Sequence, residues 1–146
     1  MFTLNKCLVH SCKNLSLSVF DKTNGMTEER GYCLNHTPDP GRAKESIYDH
    51  IKTHDVIVGL NAAGIMFRDI DLSNKRFYGC NFQHCTFIGL RSESLLGKLC
   101  MFDFATFADC MLPGSAMQFT SFACCTFSHT IFTGSDMVQN NFNGVQ

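Results

Sequence analysis

The chain has 146 residues, enough for one domain or two small modules, and includes 14 phenylalanines but no tryptophan. Its formal net charge of −1 argues against a general nucleic-acid binder or a polybasic membrane binder. No apolar run approaches the ~18 residues of a membrane span, and the first twenty residues lack a signal-peptide core. Nine cysteines in such a chain favour metal binding or burial in a reducing compartment, so we expect a cytoplasmic protein.

Two pairs of metal-binding side chains stand near the N-terminus. Cys7 and Cys12 form the first pair, and Cys33 and His36 form the second, with 20 residues between them. A tetrahedral zinc site needs two such pairs, because each turn presents two ligands. The arrangement resembles the Cys-Cys-Cys-His zinc knuckles of ribbon-like modules, and four protein ligands indicate a structural Zn²⁺ ion. Three buried thiols beside an exposed histidine, or His10 in place of one ligand, are the alternatives.

A helix is predicted after this module, from about residue 42 to residue 53. Asp39 is a good N-cap, and Pro40 suits the first helical position. An apolar stripe follows, made of Ile47, Tyr48 and Ile51. His50 and His54 lie four residues apart, and we interpret them as solvated rather than as metal ligands. Short strands are expected around the zinc pairs, at Cys7–Val9, Leu15–Phe20 and Tyr32–Cys33.

A large apolar side chain recurs every five residues in the second half of the chain. Between Leu72 and Phe142, thirteen of fifteen such positions hold Phe, Leu or Met, and the residue two places earlier is mostly small. This period fits neither a helix nor a flat strand. It suits a four-sided coil with one pentapeptide per side, in which successive turns pair as parallel strands. Residues 20 apart, such as Phe102 and Phe122, are then expected to stack.

The pattern resembles the pentapeptide-repeat family, with its A(D/N)LXX consensus. The best matches are residues 80–84, 85–89 and 135–139. The resemblance implies a mainly β fold, a right-handed quadrilateral β-helix of about four turns, and a bacterial origin. We therefore predict a β-helix over residues 65–146, preceded by a zinc-binding module and capping helix over residues 1–64. The helix is expected to cover the first turn, since the end of a solenoid exposes unpaired backbone groups.

Two repeat units depart from the pattern. Ser92 and Gly97 stand where a large side chain is expected, but Leu90 and Leu95 stand two places before them. Large and small have exchanged positions, which roughly conserves the interior volume. We therefore interpret residues 88–101 as continuous coil, with a loop bulging from one corner as the alternative.

The repeat cysteines mostly fall at the small inward position and are interpreted as compact apolar residues. These are Cys80, Cys85, Cys100, Cys110 and Cys125. Cys124 departs from this position and is expected at the surface. His84 and His129 fall at the last position of their units and are also expected at the surface.

Several outward positions are unexpectedly apolar, and residues 20 apart should stack into a patch. The predicted interaction patch consists of Leu99, Met101, Phe104, Met111, Phe119 and Ile131. Two explanations compete for this patch. Another segment, such as the N-terminal helix, covers it, or it binds a protein partner or a second copy of the chain. We favour the second explanation. The last turn, near Phe142, offers a further surface for end-to-end homodimerisation.

No arrangement of residues suggests a nucleophile with its base, so we expect a non-enzymatic scaffold for an unknown protein partner. An enzyme built on the zinc site would need an open coordination position. Some pentapeptide-repeat proteins imitate DNA and act on DNA gyrase, which provides an alternative. Residues 65–146 hold six acidic and five basic residues, too few negative charges for close mimicry of a duplex. Direct binding of nucleic acid and membrane association are not expected.

Overall fold

The computed structural model describes residues 5–23 and 25–146, so residues 1–4 and 24 of the predicted N-terminal module lie outside it. In the module, β1 (Val19–Phe20) and β2 (Met26–Thr27) form an antiparallel pair. Helix α1 spans Pro40–Thr53, and Asp39 Oδ1 accepts a hydrogen bond from the Arg42 N–H at 3.1 Å. The predicted helix and N-cap are confirmed. No helix within the described residues is long and apolar enough to cross a bilayer.

The strand predictions near the zinc pairs are largely wrong. Only the end of Leu15–Phe20 forms a strand, whereas Cys7–Val9 and Tyr32–Cys33 run as irregular chain. These segments are held by single backbone hydrogen bonds, such as that from the Leu8 N–H to the Gly31 carbonyl at 3.0 Å. Tight turns around the ligand pairs leave too little extended chain for a ladder.

The repeat forms a square coil of nine three-residue strands in parallel register. They are β3 (Val56–Val58), β4 (Met66–Arg68), β5 (Arg76–Tyr78), β6 (Thr86–Ile88), β7 (Leu96–Lys98), β8 (Thr106–Ala108), β9 (Ala116–Gln118), β10 (Thr126–Ser128) and β11 (Asp136–Val138). The odd-numbered strands stack as one sheet and the even-numbered strands as another. Paired residues lie 20 positions apart, for example Phe87 and Phe107. The predicted β-helix of about four turns is therefore confirmed.

Single β-bridges hold the other two sides of the coil. One side carries the bridges Asn81↔Met101 and Met101↔Ser121, and the other carries Met111↔Ile131. The two sides are two pentapeptides apart, so they face in opposite directions. One pentapeptide thus forms each side.

The corners of the coil have a left-handed backbone. Every fifth residue from Gly59 to Gly144 has a positive φ, between 47° and 84°. Seven of these residues are glycine, which adopts this conformation without a steric penalty. The remaining eleven include Leu99, Phe104 and Phe119, for which the conformation is unfavourable.

The interior is filled by stacked phenylalanines. Phe82, Phe102 and Phe122 stack in one column, with ring centroids 5.1 Å apart at each step. Phe87 and Phe107 stack in a neighbouring column at 4.9 Å. The axial cavity has a volume of only about 10 Å³, and its apolar lining offers no hydrogen-bond partner for an ordered water. Each turn therefore buries its apolar face against its neighbours.

Residues 88–101 are continuous coil, as predicted. Strand β7 pairs with β5 on one side and β9 on the other. A Cβ atom added to Gly97 would lie 2.6 Å from Met117 Sδ, so the Met117 side chain fills the space that Gly97 leaves. Leu90 and Leu95 are buried in the same core. The exchange of large and small residues thus maintains the packing.

The coil begins before residue 65, where the repeat was predicted to start. Strand β3 pairs with β5, with Ile57 opposite Phe77. Ala62 occupies the next central position, and Leu60 and Ile65 stand at the positions that are mostly small elsewhere. The small Ala62 obscured this unit in the sequence.

Helix α1 covers one side of the first turn. Ile47 and Ile51 are buried in the same core as Ile57. Tyr48 packs on Phe67 with ring centroids 5.1 Å apart, and its hydroxyl donates to the Met66 carbonyl at 2.9 Å. That carbonyl belongs to β4, an edge strand of its sheet. The helix thus acts as the expected cap.

Candidate metal centre and exposed apolar patch

The four predicted metal ligands lie together in the N-terminal module. The three thiol sulfurs of Cys7, Cys12 and Cys33 and a ring nitrogen of His36 all lie within 4.8 Å of one another. The His36 Nδ1 atom is 3.6 Å from Cys7 Sγ and 3.3 Å from Cys33 Sγ. Cys12 Sγ is 3.9 Å from Cys33 Sγ. His10 is not part of the cluster.

Several separations between these atoms approach those of a tetrahedral metal site. In a zinc tetrahedron, Zn–S bonds of about 2.3 Å and Zn–N bonds of about 2.0 Å separate two sulfurs by about 3.8 Å and a sulfur from a nitrogen by about 3.5 Å. The separations of Cys12 from Cys33 and of His36 from Cys7 agree with these values within a few tenths of an ångström. The cluster could therefore hold one metal ion with the His36 ring bound through Nδ1.

Backbone hydrogen bonds shape the two turns that carry the ligands. The Cys12 N–H donates to the Val9 carbonyl at 3.0 Å, which closes the first turn. The His36 N–H donates to the Cys33 carbonyl at 3.1 Å, which closes the second. The Arg30 guanidinium, from the segment that leads to the second turn, donates to the carbonyl of the first ligand, Cys7, at 3.1 Å. The ligand geometry thus rests on local turns rather than on a sheet.

The environment of Cys7 favours its thiolate form. Burial opposes ionisation, but hydrogen bonds from the backbone at Cys33 and Val9 and from the His36 side chain outweigh it and lower the pKa of Cys7 to about 6. The thiolate is the form of cysteine that ligates metals. Around the cluster, Cys7 and Cys33 are buried, Cys12 is half-buried and His36 is exposed.

Of the two histidines interpreted as solvated, His54 is exposed as expected, whereas His50 is not. His50 is buried, and its ring lies between Phe20, at a centroid distance of 5.3 Å, and His54, at 4.1 Å. His54 Nδ1 lies 2.8 Å from the His50 carbonyl oxygen. The ring of His50 joins α1 to the β1–β2 hairpin, which a helical spacing alone could not reveal.

The inward cysteines are buried thiols, as predicted. Burial raises the pKa of Cys85 to about 12 and that of Cys125 to about 11. The Cys85 thiol donates to the Ala62 carbonyl at 3.0 Å. Cys124, in contrast, is exposed at a corner. Chemical reactivity within the repeat is therefore expected at Cys124.

The structure divides the predicted interaction patch between two opposite sides of the coil. Met111 and Ile131 lie on one side, where Arg91 Nη1 is 2.8 Å from Met111 Sδ. The other four residues lie around the opposite side: Leu99 and Phe119 share a corner, Phe104 occupies the next corner, and Met101 lies between the corners. We refer to these four as the corner patch.

Nothing in the described chain covers the corner patch. Leu99, Phe104 and Phe119 each expose about half of their surface, and Met101 is half-buried. Phe104 stacks on the exposed His84, with ring centroids 5.0 Å apart and planes 4° from parallel. Coverage by α1, the alternative considered from the sequence, does not occur.

Residues 100–145 match the family model for pentapeptide repeats, in eight copies. These residues include the last strands of both sheets. No curated protein matches the chain.

Proposed function

We propose that this chain, whose residues 100–145 are pentapeptide repeats, is a non-enzymatic protein-interaction scaffold with a structural Zn²⁺ ion in its N-terminal module. The packed β-helix supplies a rigid surface, and the corner patch binds the partner. The family match and the parallel coil support the scaffold role.

The observation that carries the proposal is the placement of bulky apolar residues at left-handed corners. Leu99, Phe104 and Phe119 have φ values of 56°, 61° and 50°. A side chain with a Cβ atom in this conformation costs about 1 kcal/mol relative to glycine. Because these side chains are also exposed, their apolar surface contributes little to the fold. Contact with a partner would give these residues a role.

The metal cluster supports a structural role for the ion. Four protein ligands complete a tetrahedron and leave no open position for a substrate or an activated water. The module that carries the ligands contacts the first turn, because the Ser18 N–H donates to the Asn61 carbonyl at 2.9 Å. Zinc bound there would hold the module over the coil.

The scaffold role is tested by proximity crosslinking in cell extract, comparing the wild type with a Phe104→Asn/Phe119→Asn variant. Met66→Thr is the matched control, since Met66 and Phe119 are both 48% exposed but lie on different sides of the coil. A specific crosslinked protein that the double variant loses and the control retains is expected. Retention of the same crosslinks by the double variant would exclude the corner patch.

A further inference from the structure

The first turn of the coil is protected unequally. On one side, the Ser18 N–H donates to the Asn61 carbonyl, and the Asn61 N–H donates to Ser18 Oγ at 2.7 Å. On the next side, Tyr48 donates to the Met66 carbonyl of β4. Groups that would otherwise form an open sheet edge are thus partly occupied on these two sides.

Strand β3 has no such protection among the described residues. The residues that flank β3 bond to the following turn. The Asp55 carbonyl accepts from the Arg76 N–H, and the Gly59 N–H donates to the Tyr78 carbonyl. Because bonding direction alternates along a strand, the backbone groups of Val56 and Val58 point away from β5. No partner for these groups occurs within residues 5–23 and 25–146. The edge is therefore available for one more strand.

The side chains of this open edge are apolar and exposed. Val56 and Val58 expose 50% and 51% of their surface. They project from the outer face of the first strand of a five-stranded sheet. An added strand could place its own side chains beside them, at the usual spacing of about 4.8 Å.

A cleft with acidic residues begins at the Val58 end of the edge. Its volume is about 500 Å³, and the module forms its opposite wall, including Leu17 and Met26. The charged side chains that line it are Glu28 and Glu29, and both are exposed. The cleft therefore favours a cationic occupant and disfavours phosphate.

We propose that an extended protein segment rich in Lys and Arg binds as an additional strand on β3, with its basic side chains beside Glu28 and Glu29. Main-chain hydrogen bonds to Val56 and Val58 supply affinity, and the two glutamates supply the preference for positive charge. This surface is distinct from the corner patch, so the inference does not depend on the proposed function.

The test measures fluorescence anisotropy of a labelled peptide, Lys-Val-Thr-Val-Thr-Lys, with the full chain. Val58→Pro removes an outward N–H without removing a ladder bond to β5, and proline is tolerated on edge strands. Arg68→Pro is the matched control, because Arg68 holds the equivalent position in β4. We expect Val58→Pro to weaken binding by about tenfold or more, as for loss of a main-chain hydrogen bond together with a steric block, and Arg68→Pro to leave it nearly unchanged.

A second variant tests charge recognition without altering the backbone. Glu28→Gln/Glu29→Gln is expected to weaken binding of the peptide by about fivefold at low salt, with a smaller loss of affinity at high salt. A peptide with Glu in place of both Lys residues should bind poorly to the wild type. Equal binding of the two peptides, or undiminished binding by the glutamine variant, would overturn the proposal.

A second copy of the chain is the competing occupant of this edge. Sedimentation of the wild type without peptide distinguishes this dimer from peptide binding. Pairing of two copies through β3 would give a concentration-dependent dimer that Val58→Pro abolishes. Such a dimer would also overturn the peptide proposal. A monomer that binds the basic peptide supports it.

Discussion

The ring of Phe122 lies on that of Phe102, with centroids 5.1 Å apart and planes 5° from parallel. The next ring in the column, Phe142, lies 5.0 Å from Phe122 in the same orientation. Each ring comes from the same side of a successive turn. The stacking therefore follows directly from the 20-residue turn.

Removing one ring from this column should strongly destabilise the coil. Phe102→Ala is expected to reduce the free energy of unfolding by about 3–5 kcal/mol, because the ring is buried between two others. Urea denaturation followed by far-UV circular dichroism measures the loss. Phe104→Ala is the matched control, two residues away but exposed, and should change stability by less than about 1 kcal/mol. Similar losses for the two variants would contradict the interior column.

The five-residue period was sufficient to predict this column, because residue size alone distinguishes the inward positions. The left-handed corners were not predicted, although glycine and aspartate recur there, since Leu99 and Phe119 obscure the preference. The start of the coil was placed too late because Ala62 is small. The role of His50 depends on Phe20, a contact distant in sequence that no local pattern encodes.

Replacing an apolar residue at a left-handed corner with asparagine should not destabilise the protein. Leu99→Asn is expected to leave the free energy of unfolding unchanged or to raise it by up to about 1 kcal/mol, because asparagine tolerates positive φ better than leucine. Met111→Asn, at a bridge position on the opposite side, should instead lower it, because asparagine is unfavourable in strands. Thermal denaturation compares the two. An equal loss in both variants would show that Leu99 stabilises the fold.

The buried thiols predict a loss of stability at alkaline pH. The pKa of Cys85 is raised from 9.0 to about 12, so its proton is held more tightly in the folded chain than in the unfolded one. Below pH 9 both states keep the proton. Between pH 9 and 12 the unfolded thiol ionises first, and stability falls by up to about 1.4 kcal/mol per pH unit from this group.

Cys85→Ala should make that decline shallower, and urea denaturation at several pH values from 8 to about 11 measures it. Cys124→Ala serves as the control, because it removes a cysteine that is exposed in the folded chain. A decline as steep in the Cys85 variant as in the control would show that Cys85 does not contribute.

Loss of a metal ligand should loosen the first turn of the coil. Cys33→Ser is expected to abolish zinc binding and to speed amide hydrogen exchange in β3 and β4, because the module and α1 would no longer be held against the first turn at Asn61 and Met66. Exchange in β8 and β9, two turns from β4 and three turns from β3 respectively, should change much less. Cys124→Ser is the control for the loss of a thiol. Unchanged exchange in β3 and β4, despite loss of the metal, would show that the metal-bound module does not protect the first turn of the coil.

X-ray absorption spectroscopy of the purified full chain tests the metal centre most directly. The geometry predicts one Zn²⁺ per chain, with three sulfurs at about 2.3 Å and one nitrogen at about 2.0 Å. In the Cys33→Ser variant, the zinc should be lost or the sulfur shell reduced. A full chain that takes up no zinc, or zinc surrounded only by oxygen and nitrogen, would contradict ligation by Cys7, Cys12, Cys33 and His36.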